Sequence, residues 1–297
     1  MASLPFVDTH VHFYDMAHPD LRYEWLEPEA EVDPVVGPDG AMRAQRYWAD
    51  DFLAETRFQN VSKVVHVQAA IGTADPVDET RWLQGFVDRL AMPDGIIGYA
   101  DLAQPDAEET IERHRQYPNF RGIRDLRWDD YLTNEAWRRG YGLLEGLVCC
   151  DDPLIEEMPA ARALAEDFPG VTLCIDHAAY PGSGGNPRVP EQADFNAWRA
   201  GIRELARAEN VVMKISGLGM SDHWFTAQSL RPWFTECIEA FGVERCFFGT
   251  NWPVDRLYSS YGDVLDTYEE LAAELTPREQ QALFYGNATR IFSLEDS

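Results

Sequence analysis

Three side chains that can bind a metal ion or move a proton lie within five residues near the start of the chain: Asp8, His10 and His12. They occupy every second position, which is the period of a β-strand, so the sequence predicts that all three share one face. A strand at the surface would leave them to water. Burying a carboxylate and two imidazoles, however, costs free energy unless they bind a ligand or one another. Because imidazole is a common metal ligand and proton carrier, we interpret this strand as one wall of a functional site.

The composition restricts the partners that this site can serve. The 297 residues include 25 basic and 51 acidic side chains, for a formal net charge of −26. Nucleic acid and anionic membranes both select clusters of Lys and Arg, so neither is expected as a partner. No apolar run is long enough for a membrane span, and the first strand begins too early to leave room for a signal peptide. The five cysteines form no C-x-x-C pair, which favours reduced thiols in the cytoplasm. We expect a small-molecule substrate, and an oligomer remains an open possibility.

Eight apolar, β-branched runs alternate with amphipathic stretches along the chain. This alternation predicts parallel strands covered by helices, and eight repeats in a chain of this length predict a single (β/α)8 barrel domain over residues 1–297. A doubly wound sheet is the alternative, but no Gly-x-Gly-x-x-Gly turn follows any of the strands. The predicted strands are Phe6–Phe13, Val61–Ala70, Gly95–Ala103, Phe120–Leu126, Gly146–Asp151, Val171–Ala179, Val211–Leu218 and Arg245–Trp252.

The helices are predicted between these strands, with one more near the end of the chain. Thr276 and Glu279 have the spacing of a capping box, with Pro277 at the first helical position, and predict a helix to about Gly286. The other predicted helices are Ala49–Gln59, Asp78–Ala91, Asp106–Gln116, Glu135–Gly142, Pro153–Phe168, Glu191–Ala208 and Pro232–Phe241.

Two connections are longer than a barrel requires: Tyr14–Tyr47 after strand one and Tyr180–Pro190 after strand six. Both follow the C-terminal ends of strands, which form the face where barrel active sites are built. Long ordered loops at this position cover a site more often than they act as spacers. We therefore expect both loops to lie over the barrel mouth.

Polar residues near the ends of the other strands are expected to meet His10 and His12 at this mouth. His177 ends strand six and Asn251 ends strand eight, with Asp255 four residues further on; these three complete the candidate catalytic set. The candidate substrate-binding residues are His66, Arg124, Lys214, Ser216 and Trp252.

Most of these residues also have a purely structural interpretation. Buried histidines and charged side chains are often satisfied within the protein core without contacting any ligand. The alternatives are a core position for His66, an ion pair of Arg124 with Asp101, a structural ion pair for Lys214, a pairing of Asp255 with Arg256, and a role for Trp252 in sealing the barrel top.

Six segments, in this order and spacing, resemble the amidohydrolase superfamily. More narrowly, the chain is similar to the 2-pyrone-4,6-dicarboxylate lactonase-like branch, which also contains sugar lactonases. The resemblance extends over nearly the whole chain. The matching segments are Asp8-Thr9-His10-Val11-His12, Val67-Gln68-Ala69, Arg121-Gly122-Ile123-Arg124, Ile175-Asp176-His177, Lys214-Ile215-Ser216-Gly217-Leu218 and Phe248-Gly249-Thr250-Asn251-Trp252-Pro253.

The resemblance implies hydrolysis of a lactone or related cyclic ester of a small organic acid at the barrel mouth. In the family the strand-eight position is normally Asp, whereas this chain has Asn251, whose amide cannot take up a proton. The base is then expected to be Asp255 or His66. Arg124, helped by Lys214, would anchor a carboxylate or phenolate, so the expected substrate is cyclic or aromatic and anionic.

The resemblance also implies a role for the three histidines at the mouth. His10, His12 and His177 would stabilise the oxyanion, either directly or through a bound divalent metal such as Zn²⁺. Because the anionic strand-eight ligand is missing, the expectation is that no cofactor is bound, with one divalent metal as the alternative. Two further functions remain open: metal-dependent decarboxylation of an aromatic or unsaturated acid, and a non-catalytic homologue that binds a small molecule.

Overall fold

The protein's structure, a computed structural model, describes residues 4–31, 36–37, 40, 42, 45–127, 130–181 and 195–294. Within these residues, eight strands form one parallel sheet whose spatial order follows the chain. The strands are β1 (Phe6–Val11), β2 (Val61–Val67), β3 (Gly95–Gly98), β4 (Phe120–Arg124), β5 (Val148–Asp151), β6 (Thr172–Ile175), β7 (Val211–Ile215) and β8 (Cys246–Phe248).

The ring of strands closes at its mouth between the end of β1 and the segment that follows β8. The Trp252 N–H donates to the His10 carbonyl at 3.2 Å, and the His12 N–H donates to the Trp252 carbonyl at 2.7 Å. These bonds bring the first-strand histidines next to the chain that leaves β8. The predicted (β/α)8 barrel is confirmed.

Helices connect the strands on the outside of the barrel. They are α1 (Ala49–Thr56), α2 (Val77–Leu90), α3 (Ala107–His114), α4 (Glu135–Gly142), α5 (Met158–Asp167), α6 (Phe195–Leu205), α7 (Leu218–Ser221), α8 (Ala227–Phe241), α9 (Tyr261–Ala272), α10 (Pro277–Gln281) and α11 (Asn287–Ile291). No helix in the part of the chain that the structure describes combines the length and the apolar composition needed to cross a membrane.

Several helices differ from their predicted positions. Helix α5 begins at Met158, five residues later than predicted, and the short helix α7 was not predicted. Helix α8 begins five residues earlier than predicted, because Thr226 and Ser229 form a reciprocal capping box at its start. Helix α9 was not predicted at all, although residues 261, 264, 265, 268, 271 and 272 are buried along one face. Its start is fixed by the Ser260 hydroxyl, which accepts from the Asp263 N–H at 3.1 Å. The capping box predicted at Thr276 is present and opens α10.

The first strand is not regular, and this corrects the prediction that Asp8 shares a face with His10. The pairing of β1 with β2 shifts register between Asp8 and Val11. As a result the Asp8 carboxylate accepts from Tyr261 of the outer helix α9 at 2.9 Å and from the Thr250 hydroxyl at 2.6 Å. Asp8 therefore ties β1 to the chain after β8, while His10 faces the site.

The lower interior of the barrel is apolar and is closed by the end of the chain. Phe292 packs its ring edge-on against Phe247 of β8, with ring centroids 5.6 Å apart. Asn287 holds this segment in place by donating to the carbonyls of Val243 and Cys246, both at 2.8 Å. The polar side chains of the barrel interior therefore lie at its other end, near the mouth. The five cysteines are buried free thiols, as predicted.

The long connection after β1 is partly described. Tyr14–Asp15 and Arg46–Tyr47 pair as a small antiparallel ladder, and Trp25 donates its indole N–H to the Ala69 carbonyl at 2.9 Å, next to the end of β2. This part of the loop lies over the mouth, as expected. After β6, the chain is described to residue 181 and again from Phe195. Most of the predicted loop and the first residues of the predicted helix Glu191–Ala208 lie outside the described residues.

Candidate functional site

The barrel brings the three predicted histidines together. The Nε2 atoms of His10 and His12 are 3.2 Å apart, and the rings of His10 and His177 have centroids 4.5 Å apart. His12 and His177 border a cavity of about 230 Å³ at the mouth. Residues 167 positions apart in the chain, His10 and His177, thus contribute to one site, which is what closure of the barrel requires.

The neighbours of His12 fix its tautomer. Its Nδ1 lies 2.8 Å from the carbonyl oxygen of Val67 at the end of β2, and a carbonyl can only accept, so Nδ1 carries the proton. Burial, reinforced by the nearby charge of Arg124, holds the pKa of His12 well below its usual range. His12 is therefore neutral and presents an unprotonated Nε2.

His177 is oriented by Ser216 of the chain that follows β7. The Ser216 hydroxyl lies 3.1 Å from His177 Nδ1 and accepts from the His177 backbone N–H at 3.3 Å. Since that oxygen already accepts the backbone hydrogen, its own hydrogen is free to be donated to Nδ1, which leaves the proton of His177 on Nε2. Burial lowers the pKa of His177 to about 4. His177 is thus a neutral donor at the cavity wall.

The backbone at His177 has an unusual conformation. Four successive non-glycine residues, from His177 to Tyr180, have φ between 50° and 54°. Each is left-handed, a region that side chains with a Cβ adopt at a cost. The turn places the ring of Tyr180 with its centroid 5.3 Å from that of His177, and both side chains border the cavity.

Beneath the histidines lies a compact cluster of buried charges. Lys214 Nζ is 2.8 Å from Asp176 Oδ1, and Arg124 bonds to Asp152 and lies 3.6 Å from the other oxygen of Asp176. Burial alone would raise the pKa of Asp176, but Lys214 and Arg124 hold it below its usual value. Two cations thus face two carboxylates, and the cluster has no excess charge of either sign.

His10 connects this cluster to the mouth. Its Nδ1 lies 3.5 Å from Lys214 Nζ and 3.7 Å from Asp176 Oδ2, while its Nε2 faces His12. Burial, together with the charge of Lys214, lowers the pKa of His10 well below its usual value. All three mouth histidines are therefore neutral.

Asn251 borders the cavity, and Asp255 lies behind it. The Asn251 amide nitrogen donates to Asp255 Oδ1 at 3.0 Å and approaches the sulfur of Met220 at 3.4 Å. Asp255 Oδ2 accepts from the Gly219 N–H at 3.2 Å. Because a carboxylate accepts, the amide must turn its nitrogen toward Asp255 and leave its carbonyl oxygen for the cavity. Burial raises the pKa of Asp255 to about 7.

Three of the predicted substrate-binding residues, His66, Lys214 and Trp252, do not border the cavity. His66 accepts from the Phe13 N–H at 3.2 Å and contacts Glu79 at 3.3 Å, so both of its ring nitrogens have partners in the core. Lys214 is fully buried in the charge cluster, and Trp252 is fully buried with its indole N–H donated to Glu55 at 3.0 Å. Arg124 borders the cavity, but its partners are Asp152 and Asp176 rather than Asp101.

Four residues that were not in the predicted set contribute to the site: Gln68, Asp152, Asp176 and Tyr180. Gln68 and Tyr180 border the cavity. The sequence carries a signal for two of the four, because Gln68 shares the parity of His66 in strand two and Asp176 directly precedes His177. Asp152 and Tyr180 lie just beyond strand ends, where the sequence does not say which way a side chain turns.

The donor set fits a divalent metal. On a tetrahedral zinc ion with bonds of about 2.0 Å, two ligand atoms are roughly 3.3 Å apart, close to the spacing of the two Nε2 atoms of His10 and His12. His10, Asp176 and His177 also have ligand atoms within 4.8 Å of one another. Asp176 Oδ2 has no hydrogen-bond partner among the described residues, so it can receive the Nδ1 proton that His10 would carry if its Nε2 bound a metal. This donor set favours the metal alternative over the expectation that no cofactor is bound.

The fold and the site together define a (β/α)8 barrel with a histidine-based site at its C-terminal mouth. The amidohydrolase family model matches residues 7–294. The chain belongs to the amidohydrolase family and is a hydrolase, which confirms the expectation from its motifs.

Individual relatives extend over the full length of the chain. The uncharacterized protein y4mH of Sinorhizobium fredii is 34% identical, with 98% of this chain and 99% of that protein covered. An L-fucono-1,5-lactonase of Burkholderia multivorans is 28% identical, with 98% and 96% covered. A crystal structure of a zinc-bound amidohydrolase from Burkholderia multivorans superposes with a TM-score of 0.81 at 26% identity, with 99% and 100% covered.

Proposed function

We propose that this protein hydrolyses an uncharged sugar lactone at the barrel mouth. The proposal rests on the cavity at the mouth, which is bordered by the neutral His12 and His177. Among the described residues, Arg124 is the one cation that borders this cavity, and it is already paired with two carboxylates. Similarity to an L-fucono-1,5-lactonase over nearly the whole chain supports the same conclusion.

The charge balance of the site supports an uncharged lactone over an anionic one. A substrate carboxylate at Arg124 would have to compete with Asp152 and Asp176, which already contact the guanidinium. The two negative charges of these carboxylates balance the two positive charges of Arg124 and Lys214. Binding an additional buried anion would leave the site with excess negative charge, which is costly in a desolvated cavity. The expectation of an anionic substrate placed its carboxylate or phenolate at Arg124, with help from Lys214. Because both cations already pair with carboxylates, we propose an uncharged lactone instead.

The residues around the cavity suit acyl transfer from a ring ester to water. The His177 Nε2–H would donate to the lactone carbonyl and stabilise the oxyanion as water adds to the carbonyl carbon. The Asn251 carbonyl oxygen would accept a hydrogen from that water and orient it. His12 presents the unprotonated nitrogen that either takes the proton of the water or holds a metal. The ring C–O bond then breaks, and the leaving oxygen receives the proton that the base took from the water, so that one carboxylic acid and one hydroxyl are formed.

A metal would be held by His10 and His12, and by His177 if the Ser216 hydroxyl turns to accept from Nδ1. A divalent ion at this position supplies Lewis-acid activation of water or carbonyl. Zinc in the Burkholderia multivorans structure supports Zn²⁺ as the ion.

A panel of lactones tests the proposal. Hydrolysis should be followed with a pH indicator for neutral aldonolactones and for dianionic 2-pyrone-4,6-dicarboxylate, with spontaneous hydrolysis subtracted. We expect turnover of neutral sugar lactones and little or none of the dianion. Turnover of the dianion alone would refute the charge argument, and release of CO2 from an aromatic or unsaturated acid without any lactone hydrolysis would favour the decarboxylase alternative.

The variant Asn251→Asp separates an active lactonase from a binding protein that has lost its base. It would place a second carboxylate about 3.0 Å from that of Asp255, where like charges repel. We therefore expect Asn251→Asp to lose lactone hydrolysis. A large gain in activity would instead indicate that the natural protein is not built for this reaction.

A further inference from the structure

Gln68, the residue after β2, is a buried amide whose side chain has no hydrogen-bond partner among the described residues. It is 2% exposed and borders the cavity next to His12. Neither its Oε1 nor its Nε2 makes a hydrogen bond to any residue that the structure describes. Neighbouring buried polar side chains such as His12, Ser216 and Asn251 each have at least one partner, whereas both amide atoms of Gln68 are unpaired among the described residues.

An amide held in this way is unfavourable in the protein alone. Burying a side-chain amide without hydrogen bonds costs free energy that an apolar side chain of the same length would not. The cost is recovered when a ligand in the cavity, or water in its absence, bonds to both amide atoms. The position of Gln68 thus indicates that its amide serves to bind the ligand that occupies the cavity.

The chemistry of the amide specifies its ligand. Gln68 offers two N–H donors and one carbonyl acceptor. A hydroxyl matches both, since it can accept from Nε2 and donate to Oε1. A carboxylate can only accept, so it would leave Oε1 unpaired and be repelled by it. An unsubstituted hydrocarbon ring would leave both atoms unpaired.

The location of Gln68 also indicates where on the substrate this hydroxyl would lie. The Val67 carbonyl, in the residue before Gln68, is the atom that fixes His12 Nδ1 at 2.8 Å. Gln68 is therefore held next to His12, the imidazole proposed to take the proton of the attacking water or to hold a metal. A hydroxyl on the lactone ring close to the carbonyl would lie within its reach.

We infer that Gln68 forms a hydroxyl-recognition subsite that makes the enzyme select hydroxylated lactones over unsubstituted ones. This inference rests on the proposed lactonase function and adds the residue that recognises a hydroxyl group of the sugar. Sites built to hydrogen-bond a substrate hydroxyl reject analogues that lack it much more strongly than apolar pockets reject an extra hydroxyl.

The test is a selectivity measurement on Gln68→Met, which keeps the length of the side chain and removes its polar atoms. The substrates are the aldono-1,5-lactone that the wild type hydrolyses fastest and δ-valerolactone, which has a six-membered ring without hydroxyls. We expect the ratio of kcat/KM for the hydroxylated over the unsubstituted lactone to fall by roughly 10- to 100-fold. The thermal midpoint of the ligand-free variant is expected to be equal to or above that of the wild type, because an unpaired buried amide has been removed.

The matched control is Gln116→Met, two residues after α3, an exposed glutamine whose side chain donates to the nearby Glu112 carbonyl. It should leave the ratio unchanged. A ratio within twofold of wild type in Gln68→Met would overturn the inference while leaving the lactonase function intact. If the wild type hydrolyses neither lactone, the proposed function itself fails and the subsite with it. A second variant, Gln68→Leu, should reproduce the loss of selectivity.

Discussion

Replacing Asp255 with Asn tests how the site compensates for the missing strand-eight carboxylate. Asp255 accepts from both the Asn251 amide and the Gly219 N–H. The substituted amide has one oxygen, so one of these two donors would face an N–H group and lose its bond. A protonated Asp255 presents the same conflict, because its O–H would face the amide hydrogens of Asn251. The variant Asp255→Asn should therefore resemble the wild type at low pH.

The raised pKa of Asp255 gives the size of the effect on stability. Burial raises this pKa from 3.8 to about 7, and the side chain is 1% exposed. A group with a raised pKa in the folded state stabilises the fold fully below its unfolded pKa and loses that contribution as pH rises through its folded pKa. A rise of this size corresponds to roughly 4 kcal/mol, of which about 3 kcal/mol is lost between pH 5 and pH 8.

Urea denaturation at pH 5, 6, 7 and 8 measures this contribution. We expect the free energy of unfolding of the wild type to fall over this range by about 3 kcal/mol more than that of Asp255→Asn, because the amide does not titrate. Other buried acids with raised pKa that do not interact with Asp255, such as Asp125 and Asp151, contribute equally to both proteins. The exposed Asp88→Asn is the control and should follow the wild type. Parallel curves for the wild type and Asp255→Asn would refute the argument.

The same variant makes a kinetic prediction. The kcat/KM of the wild type should rise with pH around an apparent pKa near 7, because only the ionised Asp255 holds the Asn251 carbonyl toward the cavity. In Asp255→Asn, kcat/KM should be roughly 10- to 100-fold lower at pH 8 and nearly independent of pH between 6 and 8. A wild-type profile that is retained in the variant would assign the titration to another group.

Three further predictions concern the histidines and the backbone that holds them. Ser216→Ala removes the hydroxyl that orients His177, so kcat should fall about tenfold with KM nearly unchanged; steady-state kinetics decides this, and a change in KM alone would contradict it. Metal-stripped protein should bind about one Zn²⁺ per chain in calorimetry. His12→Ala should weaken that binding by at least 100-fold, since it removes one of two converging imidazoles. Equal binding by both proteins would show that the metal site does not include His12. Ala178→Gly should raise the free energy of unfolding by about 1 kcal/mol, because glycine adopts a positive φ without strain; a decrease would show that the methyl group contributes more than the backbone strain costs.

The barrel could be predicted from the sequence because the apolar run that indicates a strand occurs eight times along the chain. Each strand is a continuous apolar run, and errors of a few residues at the ends do not change the order of strands. Closure of the ring then brings His177 to His10 and His12 as a geometric necessity. Helix α9 was not predicted, although its buried positions have clear helical periodicity and the sequence therefore carries a signal for it.

The direction of individual side chains was less predictable. Asp8 appeared to share a face with His10, but a single register shift within β1 turns its carboxylate toward Tyr261. Likewise, Arg124 could be placed on the correct strand, yet its partner depends on Asp152, which lies one residue beyond the end of β5. Alternation is a reliable guide inside a regular strand and fails at a bulge or beyond a strand end, where most of the site is located.

The left-handed turn after β6 shows how the fold holds a costly conformation where the chemistry needs it. Four consecutive left-handed residues other than glycine cost several kcal/mol by rough estimate, so the turn must be fixed from outside. Trp198 of α6 donates its indole N–H to the Ala178 carbonyl at 2.9 Å, and the Ser216 hydroxyl accepts from the His177 N–H. These bonds come from the helix after β6 and from the end of β7. The orientation of His177 therefore depends on the closed barrel, and a locally unfolded β6–α6 unit could not hold this imidazole at the cavity.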